Sequence, residues 1–337
     1  MRRLTAAAIV SPIPRTSHMR PKGCLLREIV TLFVVATFLP AACVLFGAPA
    51  VAGEVPDSFS IETFPVGSTP LGIAFDGANI WTTDFFGNAV IKVRASDGVI
   101  LGSYSIFEPW SVACDGASVW IGNSVGIVTK IRGSDLTHEA TIQISTSQLT
   151  GMIFDGTSIW VTIWGSVFVN KLSLDGAIVG SYWVGQGPYQ LAFDGANVWT
   201  ANQTSGTVTK LRASDGQVLF TVPAGSYPHG IVFDGHEIWV ANENAGALTK
   251  LRLTDGAILG TARVGHNPQQ LAFDGVSIWV TNYYPNNTVM KLRPRDGVRQ
   301  HTFGTGTDPE GILFDGTSIW VTNYGSGTIS KITHTLP

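Results

Sequence analysis

The chain has 337 residues with 21 basic and 24 acidic side chains, a net charge of −3. Six of the basic residues (Arg2, Arg3, Arg15, Arg20, Lys22 and Arg27) and only one acid, Glu28, fall in the first 52 positions. The remainder therefore holds 15 basic against 23 acidic residues, a net charge near −8. That balance argues against general nucleic-acid binding, which rests on neutralising phosphates.

In chain order, the basic start is followed by a mostly apolar run from Ile29 to Ala52, broken by Pro40 and ending in Ala50-Val51-Ala52-Gly53. A basic region, an apolar core and an A-x-A end form a secretory leader, which is removed before folding. Residues 1–52 are accordingly assigned as a signal peptide cut after Ala52, with Met19 as an alternative true start. The alternatives are an uncleaved membrane anchor, since about 20 apolar residues span a bilayer, and a lipoprotein cut at Cys43. The expected location is exported, periplasmic or secreted, with no membrane span once the leader is gone. Two of the three cysteines, Cys24 and Cys43, lie in this leader. The remaining thiol, Cys114, has no partner for an intrachain disulfide. It stands where the other repeats carry phenylalanine, so an apolar slot is expected around it.

From residue 53 onward the chain is one unit written seven times. A tryptophan follows an aspartate by five residues at Trp81, Trp120, Trp160, Trp199, Trp239, Trp279 and Trp320, at spacings of 39, 40, 39, 40, 40 and 41. A period near 40 is that of a propeller blade. In the fifth unit, Gly230 to Phe233 is a short apolar strand ending at the Asp234-Gly235 turn, and Ile238 to Ala241 is a β-rich second strand. Ala247 to Arg252 is a third strand, and Asp255-Gly256 leads into a fourth ending at Val264. The fold class is all-β: a seven-bladed propeller of four-stranded antiparallel blades over 53–337, expected as a monomer. The seventh unit lacks a fourth strand, while residues 59–66 read as a fourth strand without its first three. The ring should close by pairing 59–66 with Thr328 to Ile332, removing the open sheet edges.

Positions that repeat seven times belong to the fold. The turn aspartates should hydrogen-bond their own backbone, and a third-strand lysine present in every unit (Lys92, Lys130, Lys171, Lys210, Lys250, Lys291, Lys331) is expected to be solvated. The residue closing the second strand is asparagine in five units, with Asp84 and Ile163 as departures; a backbone-bonding turn residue is expected there. Five residues before each aspartate stand Leu71, Trp110, Thr150, Tyr189, His229, Gln269 and Glu310, seven units with seven different residues. In propellers this point lies at the mouth of the central channel, and a concave mouth with convergent polar groups is the default ligand site. Candidate ligand-binding residues are thus Trp110, Thr150, Tyr189, His229, Gln269 and Glu310. Nearby loops add Asp308, His266, Gln190, Gln270, Glu243, Tyr283, Tyr324 and Trp164. His229 and Glu310 are the natural acid/base pair by type, and standing two blades apart they should need a substrate, a water or a metal to bridge them.

The block Ile319-Trp320-Val321-Thr322-Asn323 resembles the Y-V-T-N repeat of extracytoplasmic propellers. Together with the Pro-x-Gly-Ile starts and Phe-Asp-Gly turns, it also resembles the virginiamycin B (streptogramin) lyase group over residues 57 to 337. That resemblance implies elimination of a cyclic depsipeptide ester with magnesium, His229 as base and Glu310 as metal-side carboxylate. The family's second histidine falls at Ile312 here. Lactonase-like propellers imply a calcium cage instead, for which Glu310 and Asp308 are the acidic candidates. The function expected first is an exported propeller binding a small molecule, peptide or cell-envelope component at its mouth. The alternatives are a metal-assisted lyase or lactonase catalysed by His229 and Glu310, and a single-stranded nucleic-acid binder stacking bases on Trp110, Tyr189, Tyr283 and Tyr324.

Overall fold

A computed structural model describes residues 57–335, so the assigned leader, Met19, Cys24, Cys43 and the cut after Ala52 lie outside the described residues. Seven four-stranded antiparallel sheets account for the described chain, and within six of them the strands pair in sequence order. Blade 1 shows the pattern: Pro70–Phe75, Asn79–Asp84, Ala89–Arg94 and Ile100–Ser105. Blades 2 to 6 cover 109–143, 149–183, 188–223, 228–263 and 268–304, and blade 7 begins at Pro309. Among the described residues no helix is long and apolar enough to cross a membrane.

Blade 7 is completed from the other end of the chain. Ser58–Pro65 pairs antiparallel with Thr328–Thr335 in unbroken register from Ser58 opposite Thr335 to Pro65 opposite Thr328. The pairing is longer than the sequence suggested, because the last strand runs three residues past Ile332. Asp57 reinforces the seam, with His334 Nε2 at 3.3 Å and His301 Nε2 at 3.6 Å from its carboxylate.

The repeated aspartate and tryptophan are joined directly. In every blade the indole Nε1–H donates to Oδ2 of the aspartate five residues earlier, at 2.7 to 2.8 Å. The other carboxylate oxygen caps the turn, as where Asp155 Oδ1 accepts the N–H groups of Thr157 at 2.8 Å and Ser158 at 2.7 Å. With its one polar atom satisfied, each tryptophan can be buried, and six of the seven rank among the largest fully buried side chains. The apolar clusters lie between blades. Trp120 and Val128 of blade 2 pack on Ile159 and Leu172 of blade 3, and Trp320 and Ile329 of blade 7 on Ile80 and Val93 of blade 1.

The lysines are not solvated strand residues as the sequence suggested. Each ammonium sits 4.7 to 5.4 Å from the centre of its own blade's tryptophan ring, within the range of cation–π attraction. Six also donate to a backbone carbonyl of the next blade, for example Lys171 to Ala213 O at 2.6 Å and Lys331 to Ala95 O at 2.8 Å, the last spanning the seam. The alkyl stem and head are thus both consumed in joining blades, and Lys210 is 7% exposed. Lys291 faces the chain-end seam and lies over Phe59 instead. Cys114 is half-buried beside the Trp81 cluster, where burial pushes its thiol up and keeps it protonated.

Removing residues up to 68 would expose a strand edge and open the Asp57 seam. The truncated protein should melt roughly 10 °C or more below the chain that begins at residue 53, whereas equal melting temperatures in calorimetry would show that the ring does not depend on this closure.

Candidate functional site

A bulge places the site. In all seven blades the register of the first two strands slips by one between the opening residue and the third or fourth, as between Pro70 and Ile73 or Pro309 and Ile312. The extra residue lies on the first strand, in the stretch that holds the seven-fold variable position. Bulges re-aim side chains, and here the backbone departs from the ladder where the sequence is free to vary. In blades 1, 3, 6 and 7 a threonine ties the bulge to the neighbouring blade, as where Thr322 Oγ1 accepts the Gly311 N–H at 2.8 Å and donates to Leu71 O at 2.8 Å. Such close approach needs glycine; a Cβ at Gly230 would lie 2.2 Å from Gln269 O.

Two residues beyond each variable position the seven blades agree on type. Ile73, Val112, Met152, Leu191, Ile231, Leu271 and Ile312 all line a central cavity of about 220 Å³. Ile312, where the family resemblance implies a histidine, is one member of this aliphatic ring. Above it opens a mouth cavity of about 430 Å³ walled by Trp110, Trp164, Tyr189, Tyr227, Tyr283 and Tyr324. Its polar lining is Gln203, His229, Glu243, Asn267, Gln269 and Glu310. Of the candidates, Trp110, Tyr189, His229, Gln269 and Glu310 therefore meet at the mouth. Thr150 lines the deeper cavity, with its hydroxyl against Thr162 Oγ1 at 3.0 Å and Pro188 O at 3.2 Å.

His229 and Glu310 converge across the channel, yet they stop short of a direct hydrogen bond, so a proton passing between them still needs a bridging group. His229 Nε2 lies 4.0 Å from Glu310 Oε1, because the channel is narrow enough for residues two blades apart to converge across it. The nearest partner of the other ring nitrogen is Gln269 O, 3.3 Å from Nδ1, which assigns the proton to Nδ1 and leaves the Nε2 lone pair toward Glu310. Tyr189 covers the imidazole, the ring centres 4.0 Å apart. At this burial the separation does not amount to an ion pair. Desolvation pushes Glu310 up to about 8, helped by Glu243 and Asp308, and desolvation pulls His229 down to about 3 against its bond to Gln269. Near neutral pH the pair is carboxylic acid and neutral imidazole, since two buried charges would cost more than they regain at this separation. Burial also raises Glu243, opposed by a hydrogen bond from Gln269, and drives the Tyr189 phenol well above its ordinary value.

The rim is built by a second set of variable residues, nine after each aspartate: Phe85, Ser124, Trp164, Gln203, Glu243, Tyr283 and Tyr324. In all seven blades the N–H of this residue donates to the carbonyl of the residue just before the first strand, as Glu243 to Tyr227 O at 3.1 Å and Tyr324 to Asp308 O at 2.9 Å. Glu108, Tyr227, Asn267 and Asp308 hold this place with φ between 39° and 62°. Non-glycine residues rarely adopt that conformation, and such strain concentrates at functional sites. Gln203 and Tyr227 did not emerge from the sequence, although the variability nine places after each aspartate would have found Gln203. Four of the five asparagines that precede this rim position, Asn202, Asn242, Asn282 and Asn323, donate to third-strand Thr or Ser hydroxyls, and Asn282 Oδ1 also accepts the Gly265 N–H. Asn123 bonds backbone as expected, and Asp84 does so with its carboxylate, accepting from Ser68 N and Thr69 N.

To a magnesium or calcium ion the mouth offers two carboxyls in its lining, Glu243 and Glu310. Among the described residues no three His, Cys, Asp or Glu side chains converge as metal ligands. Glu310 favours its protonated form, and the position of the implied second histidine belongs to the aliphatic ring. Asp308 is held at the rim, its N–H donating to Asn287 Oδ1 at 2.9 Å.

The protein is a seven-bladed β-propeller with an aromatic, acidic cavity at one mouth of its channel. No protein-family model and no curated protein matches the sequence. In fold the chain is similar to a streptogramin B lyase structure, with a TM-score of 0.71 and 18% identity over 82% of this chain and 98% of that one. It is similar as well to hydrazine synthase of Kuenenia stuttgartiensis, with a TM-score of 0.69 and 18% identity over 80% and 96%. The resemblance to the lyase group thus holds at the level of the propeller, and propellers bearing such different names share it.

The buried pair makes stability depend on pH with a defined sign. Glu310, raised from 4.5 to about 8, contributes stability that is full below about 4.5 and lost as pH rises through 8. His229, lowered from 6.5 to about 3, contributes stability present above 6.5 and lost as pH falls toward 3. Glu310→Gln should therefore melt above wild type at pH 9, with the advantage gone at pH 4. Parallel melting curves across that range would show that the carboxyl is not held protonated in the fold.

Proposed function

We propose that this protein is a binding propeller that takes a small organic molecule into its channel mouth. The observation that carries this is the mouth cavity itself: about 430 Å³, within the range of small-molecule sites, walled by six aromatic side chains and floored by the aliphatic ring. Aromatic walls supply burial area for a flat or apolar ligand body, and Gln203, His229, Gln269 and Glu310 supply the polar contacts that fix its orientation. Peptide or cell-envelope components fit the same description if one side group enters the cavity. We place the protein outside the cytoplasm, in keeping with the basic and apolar leader.

One observation favours a second proposal, an ester-opening lyase. A neutral imidazole whose Nε2 faces a protonated carboxyl at 4.0 Å is an acid/base arrangement. Binding is preferred because an imidazole pulled down to about 3 is a weak base, and because Ile312 takes the place of the second histidine that the resemblance implies.

A thermal-shift screen with uncharged aromatic and aliphatic solutes tests the first proposal. Solutes that raise the melting temperature should lose their effect in Trp164→Ala and Tyr324→Ala, while magnesium and calcium should leave it unchanged. Solutes that stabilise wild type and both variants equally would remove the mouth as the site. Opening of a cyclic depsipeptide ester by wild type and not by His229→Ala would replace binding with the lyase.

A further inference from the structure

We propose that the mouth selects an organic ammonium ion, with the cationic nitrogen among the aromatic rings and facing Glu243, Glu310 and Gln203. This rests on the mouth being a small-molecule site and adds the charge class of its ligand.

Three independent features carry it. The walls are two indoles and four phenol rings, whose faces attract cations, most strongly where water is excluded. The only ionisable carboxyls in the lining, Glu243 and Glu310, have no lysine or arginine beside them, because neither cavity is lined by one. Two carboxyls raised by desolvation, Glu310 further by its neighbour Glu243, lack a counter-charge, which a ligand cation would supply. The third feature is Gln203. It is 3% exposed and lines the mouth, yet its Oε1 has no hydrogen-bond partner. Leaving a buried acceptor unpaired is costly, and in this orientation of the amide the ligand group that satisfies it donates, as an ammonium N–H does and a carboxylate or phosphate does not. Among the described residues no three His, Cys, Asp or Glu side chains group as metal ligands, so the mouth offers a bare metal ion fewer contacts than it offers an organic cation. An anion meets two acids, the rings, side-chain amides and one uncharged histidine, with no cationic side chain to balance it.

The groups facing Glu310 are His229 from blade 5, Glu243 and Asp308 from the rim, and the phenols of Tyr189, Tyr283 and Tyr324. Of these, the carboxyl of Glu310 is the one whose ionisation falls just above neutrality. A bound cation favours the carboxylate, so affinity should rise from pH 6.5 to 8.5 as Glu310 releases its proton, and Glu310→Gln should flatten that rise.

Calorimetric titration of the chain from residue 53 with three probes of similar size decides the matter: 2-phenylethylammonium, 2-phenylethanol and 3-phenylpropanoate. The ammonium should bind roughly tenfold or more tightly than the alcohol, and the carboxylate should not bind. Glu243→Gln should remove most of that preference, weakening the ammonium far more than the alcohol. Gln203→Met should weaken 2-phenylethylammonium but not its N,N,N-trimethyl analogue, which has no N–H to give. Equal binding of ammonium and alcohol would overturn the charge class while leaving the mouth a small-molecule site. Preference for the carboxylate, or binding of none of the three, would overturn it as well. A preference that persists in Glu243→Gln, Glu310→Gln and Gln203→Met alike would place the cation elsewhere.

Discussion

Everything in this propeller hangs on one hydrogen bond made seven times, from a buried indole N–H to the aspartate five residues before it. An indole buried without an acceptor would carry an unsatisfied donor into the gap between sheets, at a cost of about 1–3 kcal/mol. The aspartate removes that cost with one oxygen and, with the other, closes the turn that aligns the first two strands. Once the ring is fixed in the gap, its face is presented to the lysine ammonium, whose remaining donors reach across to the next blade's backbone. Aspartate, tryptophan and lysine thus act in sequence: turn, core, and blade-to-blade tie. A strand pair of five or six residues has little stability of its own, and this chain of contacts makes each blade depend on its neighbour.

The same frame releases the mouth. Inter-blade packing is settled by the tryptophan layer, so the innermost strand can carry a bulge at its start without losing its place, and in four blades a threonine hydroxyl holds that bulge by its backbone groups. Side chains at the variable position bear little of the fold's burden and are free to become a site. What they form is a cavity in which titratable groups are desolvated and paired by proximity, although the blades that supply them are not neighbours. His229 and Glu310 meet because the channel narrows above a ring of seven aliphatic side chains.

The fold was legible because its physics is local and repeated. The interval between Asp76 and Trp81 is a hydrogen bond seen in projection, and the period near 40 residues counts the blades. Ring closure could be read because a strand at 59–66 had no other partner. The lysines were misread because a charged residue in a strand looks solvated until the ring beside it and the carbonyl it reaches are known, and that carbonyl lies outside its own repeat unit. The mouth was half legible. Variation five places before each aspartate pointed to His229 and Glu310, but their distance depends on the channel radius, which no spacing encodes. Gln203 hid behind Asn202, a member of the repeated set, and its importance lies in an acceptor left unpaired in three dimensions. Ile312 could be seen only as a missing histidine; its place in an aliphatic ring explains what stands there instead.

The account holds that fold and site are carried by separate layers of each blade. Melting temperatures of two variants, measured side by side, test this most directly: Asp155→Ala, which removes one carboxylate from the repeated frame, and the triple variant Trp164→Ala, Tyr283→Ala, Tyr324→Ala, which strips three rings from the mouth. Asp155 accepts bonds from Trp160, Thr157 and Ser158, so its single loss should lower the melting temperature more than the loss of all three rim aromatics. A triple variant that melts at or below Asp155→Ala would show that the rim carries the fold and would contradict the separation of the two layers.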